Sequence, residues 1–270
     1  MKTIIQASAI LAITLLFSCK KQEKQELEPR NWQLTWSDEF EGDSLALPDS
    51  TKWKFDLGTG QDGWGNQELQ SYTNNPENVS LDGNGNLILR AIRNGNSFTS
   101  ARIKTEGLFS QKYGRFEARL KTPYGPGIWP AFWMLGDNFA TVSWPQCGEI
   151  DIMELRGQEP HLIQGTIHGP GYSGGNAITK GYALENARFD TRYHVFAVEW
   201  FEDRIDFFVD EFLYQRIERE DVPGTWVYDQ PFFMILNVAV GGTYVGFPTD
   251  QTPFPQELIV DYVKVYQSAD

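Results

Sequence analysis

Short segments in which apolar and polar side chains alternate recur along this chain, and a helical period is hard to find. In GRFEARLK, the apolar residues Phe116, Ala118 and Leu120 alternate with charged ones. Successive strand side chains point to opposite faces of a sheet, so this pattern predicts strands with one buried face. Polar turns rich in Gly (25) and Pro (14) separate the segments. We therefore expect an all-β fold, a two-sheet sandwich of the jelly-roll type.

The N-terminus reads as a targeting segment rather than as part of the fold. Lys2 precedes a short apolar run over residues 10–17, which predicts a signal peptide over residues 1–18. The sequence LFSC that ends at Cys19 resembles a bacterial lipobox, which implies cleavage before Cys19 and acylation of its thiol. The expectation is an exported bacterial lipoprotein that contacts the membrane only through this anchor. A plain signal peptide with an incidental cysteine is the alternative.

The remaining chain has one change of composition. Residues 19–30 are charged with few large apolar side chains, and we expect a disordered tether. From residue 31 onward there is no repeat or low-complexity tract, so residues 31–270 are predicted to form one domain. Within it, HVFAVEWF and RIDFFVD flank Glu202 and Asp203, which predicts a hairpin.

The net charge and the cysteine content limit the functions that this chain can have. The net charge of -13 argues against nucleic acid as a partner, because phosphates require Lys and Arg surfaces. This negative net charge is compatible with a neutral substrate, and it also favours solubility in itself. Beyond Cys19 only Cys147 remains, so no internal disulfide can form within the domain. Cys147 could be a catalytic thiol if a base activated it, but a small packed residue is the simpler interpretation.

Tryptophan is abundant, with nine residues. Core packing explains many of them. However, Trp129 and Trp133 in GPGIWPAFWML are four residues apart and share one strand face. An indole offers a flat apolar face and one N–H donor, which match the C–H face and hydroxyl fringe of a pyranose. These two residues therefore predict a sugar-binding groove.

The segment GEIDIMEL carries three carboxylates, and their spacing departs from the two-residue alternation of a strand. Glu149 and Asp151 share a strand face, whereas Glu154 is five residues from Glu149 and should point the other way. A bulge near Met153 would add one residue and bring all three carboxylates to one face. The outer Cα atoms would then be about 13 Å apart. Side chains that lean together would bring the two outer carboxyls to roughly 5–6 Å, near the spacing in retaining glycosidases.

Carboxylates this close cannot all ionise freely, so repulsion should raise at least one pKa. One group can then act as a general acid while another stays ionised as a nucleophile. A calcium site or a solvated polar face are the alternatives. The apolar residues that alternate with the acids, Ile150 and Ile152 among them, argue against a solvated face.

Taken together, the motifs resemble glycoside hydrolase family 16 in its laminarinase-like form, which has the bulged active-site strand. The similar blocks run in family order over residues 34–266: LTWSDEFEG, WGNQELQSYT, YGRFEARLK, GIWPAFWML, GEIDIME, GTIHG, ILNVAVGG and IVDYVKVY. The resemblance implies a concanavalin-like jelly roll with an open cleft on its concave sheet. It also implies that Glu149 is the nucleophile, Glu154 the general acid/base and Asp151 an assisting carboxylate, with no cofactor needed for catalysis.

Further site residues follow from the same resemblance. Five positions match substrate contacts in the cleft: Asn66, Trp129, Trp133, Trp144 and His168. For His168 a structural role is the alternative. A structural calcium, bound away from the cleft, would be held by the carbonyls of Glu41 and Gly85 and the carboxylate of Asp261. A turn stabilised without metal is the alternative there.

The expected activity is that of a monomeric endo-β-1,3-glucanase acting on polysaccharide. Family 16 hydrolysis of mixed-linkage glucan or marine galactan, or transglycosylation, would use the same strand. A non-catalytic glucan-binding sandwich and a calcium-dependent lectin remain open as other classes.

Overall fold

Seventeen β-strands form nearly all the regular structure in a computed structural model of the chain, which describes Gln25, Leu27 and residues 30–269. The strands are β1 (Trp32–Asp38), β2 (Lys54–Phe55), β3 (Gln70–Tyr72), β4 (Val79–Leu81), β5 (Leu87–Asn94), β6 (Ser97–Ser100), β7 (Arg102–Lys104), β8 (Gly114–Lys121), β9 (Ile128–Gly136), β10 (Glu149–Leu155), β11 (Leu162–His168), β12 (Ile178–Ala183), β13 (His194–Trp200), β14 (Arg204–Val209), β15 (Phe212–Glu218), β16 (Phe232–Val240) and β17 (Gln256–Ser268). Single helical turns occupy Gly63–Gln67, Gly174–Asn176 and Arg219–Asp221.

The strands form two sheets. The larger has the order β15-β14-β13-β8-β17-β5-β6-β3, with β1 paired to β17 and β4 to β5. The smaller has the order β12-β11-β10-β9-β16-β7-β2. The predicted two-sheet jelly-roll sandwich is confirmed. The predicted hairpin is confirmed as well, because β13 and β14 pair in antiparallel register with Trp200 opposite Ile205.

The core lies between the sheets, where the alternating residues of β8 meet those of the smaller sheet. Phe116, Ala118 and Leu120 are fully buried, as are Phe132 and Ile150 from the facing sheet. Burying one such large side chain contributes roughly 1.5–3 kcal/mol relative to leaving it in water. This shared burial fixes the smaller sheet against the larger one, and with it the strand that carries the acids.

The charged face of β8 points away from the core, as predicted, but two of its residues are nearly inaccessible to solvent. Arg115 and Glu117 are only 5% and 7% exposed. The Arg115 guanidinium contacts Glu117 at 2.8 Å and Glu199 at 3.1 Å, so the charges compensate one another.

The predicted signal peptide and the proposed lipid site at Cys19 lie outside the described residues. Gln25, within the predicted tether, exchanges two hydrogen bonds of 2.8 and 2.9 Å with the backbone of Leu213 in β15. Over the described part of the chain, no helix has the length and apolar content to cross a bilayer.

Candidate active site

Strand β10 contains a bulge at the predicted place. Against β9, Asp151 pairs with Trp133 and Met153 with Phe132, so Ile152 is the extra residue. Against β11 the register shifts between Asp151 and Glu154. Ile152 and Met153 are both buried, at 1% and 0% exposure. Two successive side chains thus enter the core, and the alternation resumes with Glu154 facing outward.

A cleft of about 850 Å³ lies on the outer face of the smaller sheet. It contains the three carboxylates Glu149, Asp151 and Glu154 together. The five residues predicted to contact substrate also line it: Asn66, Trp129, Trp133, Trp144 and His168. Because strands β7, β9, β10, β11, β12 and β16 all contribute lining residues, the cleft crosses most of the sheet.

The carboxyl groups have strongly perturbed pKa values. Burial raises the pKa of Glu149 to about 8, and the neighbouring Asp151 adds to this, whereas His168 and a hydrogen bond with Trp144 oppose it. Burial and then Asp151 likewise raise the pKa of Glu154 to about 8, opposed by His168 and Trp129. Burial alone holds the pKa of Asp151 well above its usual range. The predicted rise is therefore present, but its largest cause is desolvation rather than repulsion.

His168 presents a proton to the carboxylates. Its Nδ1 atom accepts a hydrogen bond of 3.1 Å from the backbone N–H of Gly174, so in the neutral ring the proton is on Nε2. That Nε2 atom lies 3.1 Å from Asp151 Oδ2 and 3.6 Å from Glu149 Oε1. The approach to Asp151 is poorly aligned, and Oδ2 has no hydrogen-bond partner. Glu149, Asp151 and His168 are close enough to hold a metal ion, but in this tautomer His168 offers N–H rather than a lone pair.

The two tryptophans of β9 have different partners although they share a face. Trp129 donates its indole N–H to Glu154 Oε1 at 2.9 Å, whereas Trp133 donates to Asn237 Oδ1 at 2.7 Å. Trp144 is 42% exposed, with its ring centroid 5.8 Å from that of His168. All three rings line the cleft together with the acids.

At one end of the cleft, Asn66 donates to Glu68 at 3.1 Å, and Glu68 is almost fully buried. Sequence reasoning missed the neighbour of this pair, Arg102. Its guanidinium carbon lies 4.4 Å from the ring centroid of Trp64 and 5.5 Å from that of Trp133. Arg102 Nε and Trp64 Nε1 are both buried without a hydrogen-bond partner.

Other missed lining residues are Asp56, Lys104, Asn237 and Tyr244. The shared face of Arg102 and Lys104 in β7 was visible in the sequence, because the two flank Ile103 at a spacing of two. The position of β7 beside β16 was not, since local alternation carries no information on strand order.

Cys147 lies next to the acids but not among them. The side chain is fully buried and packs with Leu135, Phe233 and Ile235. Burial raises the pKa of its thiol to about 11, and the charge of Glu149 acts in the same direction. A thiol held in its neutral form is a poor nucleophile, which supports the packing interpretation.

The residues predicted to hold calcium are partly assembled. The Glu41 carboxylate lies next to Gly85, 3.7 Å from where a Cβ at that glycine would stand. Asp261, however, is bonded to the guanidinium of Arg119. An ion at this position would have to compete with Arg119 for the Asp261 carboxylate.

Comparison with known proteins gives consistent matches. The family model for glycosyl hydrolases family 16 matches residues 65–264. A beta-glucanase of Rhodothermus marinus is 40% identical, covering 99% of this chain and 96% of that protein. The laminarinase catalytic domain from Thermotoga maritima superimposes with a TM-score of 0.83 at 44% identity, covering 89% of this chain and 100% of that one. For the endo-beta-1,3-glucanase from Pyrococcus furiosus the TM-score is 0.85 at 43% identity, over 91% and 98% of the two chains.

Proposed function

This chain belongs to the family 16 glycosyl hydrolases, and we propose that it cleaves β-1,3-linked glucans of the laminarin type internally, with retention of configuration. The observation that carries the proposal is the common orientation of Glu149, Asp151 and Glu154 in one cleft, which depends on the bulge in β10. Two carboxyls on one strand face can approach to the ~5–5.5 Å that a retaining displacement needs. The match to laminarinase-like relatives over most of the chain points to the same linkage.

In the proposed first step, Glu149 attacks the anomeric carbon while Glu154 gives its proton to the leaving glycosidic oxygen. The products are a covalent glycosyl-enzyme and a shortened glucan chain. In the second step, Glu154 takes a proton from water as that water attacks the anomeric carbon and displaces Glu149. The enzyme returns to its starting protonation state.

The raised pKa of Glu154 supports its role as the acid, whereas the raised pKa of Glu149 opposes the ionised form that a nucleophile needs. Protonated Glu154 is available as an acid near neutral pH because burial raises its pKa to about 8. Glu149 must be ionised to attack. Burial opposes this by raising its pKa to about 8, whereas His168, whose Nε2 atom lies 3.6 Å from Glu149 Oε1, favours the anionic form. Asp151, with its pKa well above the usual range, can remain protonated and donate a hydrogen bond to a neighbouring carboxylate.

The direct test combines a polysaccharide panel with two substitutions. We expect hydrolysis of laminarin in preference to lichenan, curdlan and agarose, and NMR should detect the β-anomer as the first product. Glu149→Ser and Glu154→Gln should each lose most of the activity on laminarin. An α-anomer as first product would indicate inversion, and near-normal turnover in either variant would refute the role given to that residue.

Export as a lipoprotein is a separate proposal, and the LFSC motif alone supports it. Incorporation of labelled palmitate into the wild-type protein, and its loss in Cys19→Ser, would support acylation. Absence of label in both would leave a plain signal peptide. The proposed monomeric state is tested by size-exclusion chromatography with light scattering.

A structural calcium at Glu41, Gly85 and Asp261 is also proposed, although the donor set fits only in part because Arg119 already bonds Asp261. Calcium should raise the melting temperature of the wild-type protein after chelation, and it should not raise that of Asp261→Asn. An equal change in melting temperature in the two proteins would contradict the proposal.

A further inference from the structure

Trp129 and Trp133 differ in a way that bears on catalysis. The two residues are on the same face of β9, and both line the cleft. Of these two, only Trp129 donates its N–H group to an acid of the cleft, with 2.9 Å between its Nε1 atom and Glu154 Oε1. The N–H of Trp133 is directed to the amide oxygen of Asn237 instead. A role in sugar stacking alone would not require this difference.

The indole of Trp129 is held in place from two directions. Its ring centroid lies 5.0 Å from that of Tyr244, whose hydroxyl donates to Gln164 at 2.8 Å. Gly242 lies beside the ring, where a Cβ would be in ordinary contact with it at 3.5 Å. The N–H vector is therefore set by packing before any substrate enters.

A fixed donor at one oxygen decides where the proton of the acid resides. In a protonated carboxyl group the carbonyl oxygen is the better acceptor, so a donor at Oε1 favours the acidic proton on Oε2. When Glu154 gives up that proton, the hydrogen bond from Trp129 becomes charge-assisted and strengthens. Such an interaction is stronger after proton transfer than before it, which is what accelerates a step.

We propose that Trp129 is a positioning residue that directs the proton of Glu154 to Oε2 and stabilises the carboxylate formed as the leaving oxygen departs. This rests on the proposed function, in which Glu154 is the general acid. It adds a task to Trp129 beyond the sugar contact expected from the sequence.

The test compares Trp129→Phe with Trp133→Phe, two substitutions that each keep an aromatic ring and remove one indole N–H. Each variant is assayed on laminarin, whose leaving group needs protonation, and on a dinitrophenyl β-1,3-glucobioside, whose leaving group does not. For Trp129→Phe we expect kcat on laminarin to fall on the order of 10- to 100-fold. The pre-steady-state burst with the dinitrophenyl glycoside should change by less than about threefold.

The pH profile gives a second readout. The hydrogen bond from Trp129 lowers the pKa of Glu154, so its loss should move the alkaline limb of kcat on laminarin to higher pH. Trp133→Phe should alter KM. It should leave the alkaline limb, and the ratio of the rates on laminarin and on the dinitrophenyl glycoside, near their wild-type values. Because this ratio is measured within one preparation, it does not depend on how much of a variant folds.

Equal losses on both substrates in Trp129→Phe, or the same leaving-group dependence in Trp133→Phe, would overturn the inference. Glu154→Gln separates this from failure of the proposed function. If Glu154→Gln keeps the burst and loses laminarin hydrolysis while Trp129→Phe behaves like Trp133→Phe, only the role of Trp129 is wrong. If Glu154→Gln itself has no leaving-group dependence, the assignment of the acid fails first.

Discussion

Glu149 and Glu154 are five residues apart in sequence but four pairing positions apart in the sheet, opposite Leu135 and Ala131. This difference of one position is the reason that the two groups lie in the same cleft. Without the bulge, Glu154 would be directed into the core, where an ionised carboxyl without a partner costs several kcal/mol.

The bulge can be tested by changing its length. Deleting Met153 leaves Glu149 and the second glutamate four residues apart, so both still face the cleft. We expect laminarin hydrolysis within about 100-fold of wild type and a loss of about 2–5 kcal/mol of unfolding free energy from the missing core side chain. Inserting Ala after Met153 should direct Glu154 inward if the bulge persists, and if it does not, the two glutamates are six positions apart and out of reach of each other. In both cases activity should fall by at least about 10⁴-fold. Activity assays on the soluble variants, with denaturant unfolding, check both; comparable activity in the two would contradict the prediction.

The raised carboxyl pKa values predict a cost to stability at alkaline pH. For Glu149 and Glu154 the folded-state pKa is about 8, above the usual glutamate value of 4.5. The folded protein therefore binds more protons than the unfolded chain between these values, and stability falls as pH rises from about 4.5 to 8. We expect Glu149→Gln to raise the unfolding free energy at pH 8 by about 1–3 kcal/mol and to change it little at pH 4. Thermal melts at both pH values test this, with the exposed Glu185→Gln as control; a gain that is the same at both pH values would count against it.

The charges at the Asn66 end of the cleft predict a preference for neutral sugars. Lys104 Nζ lies 2.7 Å from Asp56 and 2.6 Å from Glu106, and Arg102 lies within 4 Å of Asp56 and Glu68. These carboxylates offset the charge of both cations, so a sulfate group would gain little from them, although Arg102 Nε has no hydrogen-bond partner. We expect sulfated galactans to be uncut and KM for laminarin to change less than about twofold as salt is raised. Asp56→Asn should gain salt-sensitive binding of a sulfated oligosaccharide by calorimetry. Tight binding by the wild-type protein would show that the cations are accessible after all.

Burial of the Cys147 thiol predicts that it does not react in the native protein. With Cys147 fully buried and the pKa of its thiol raised to about 11, a Cys19→Ser protein should not react with a disulfide reagent in its native state. Unfolding should expose one reactive thiol. Cys147→Ala should keep laminarin hydrolysis within about twofold and lose stability by about 1 kcal/mol. Rapid native labelling that abolishes activity would revive the catalytic alternative.

Local pattern was sufficient for the parts of the site that are on one strand. The odd spacing between Glu149 and Glu154 predicts the bulge, and the spacing of four between Trp129 and Trp133 predicts their common face. Both depend only on the two-residue period of a strand.

Features that depend on the order of strands in the sheet, or on how deeply a residue is buried, could not be predicted from the sequence. Arg102 enters the cleft because β7 pairs with β16, a contact across more than a hundred residues of sequence. The different partners of Trp129 and Trp133 likewise depend on neighbouring strands, which supply Glu154 and Asn237. Desolvation, the largest cause of the pKa shifts, is set by how deep the cleft floor lies.

The position of β10 inside the smaller sheet, flanked by β9 and β11, separates two kinds of change open to this scaffold during evolution. Backbone hydrogen bonds to β9 and β11 hold β10, which carries the three carboxylates. Its sequence can therefore change little without moving them. The rim segments over residues 137–148 and 169–177 lie between strands, and they supply Phe139, Trp144 and Gly174 to the cleft. Lineages can therefore acquire new sugar preferences by exchanging rim segments, while the inherited reaction chemistry stays the same.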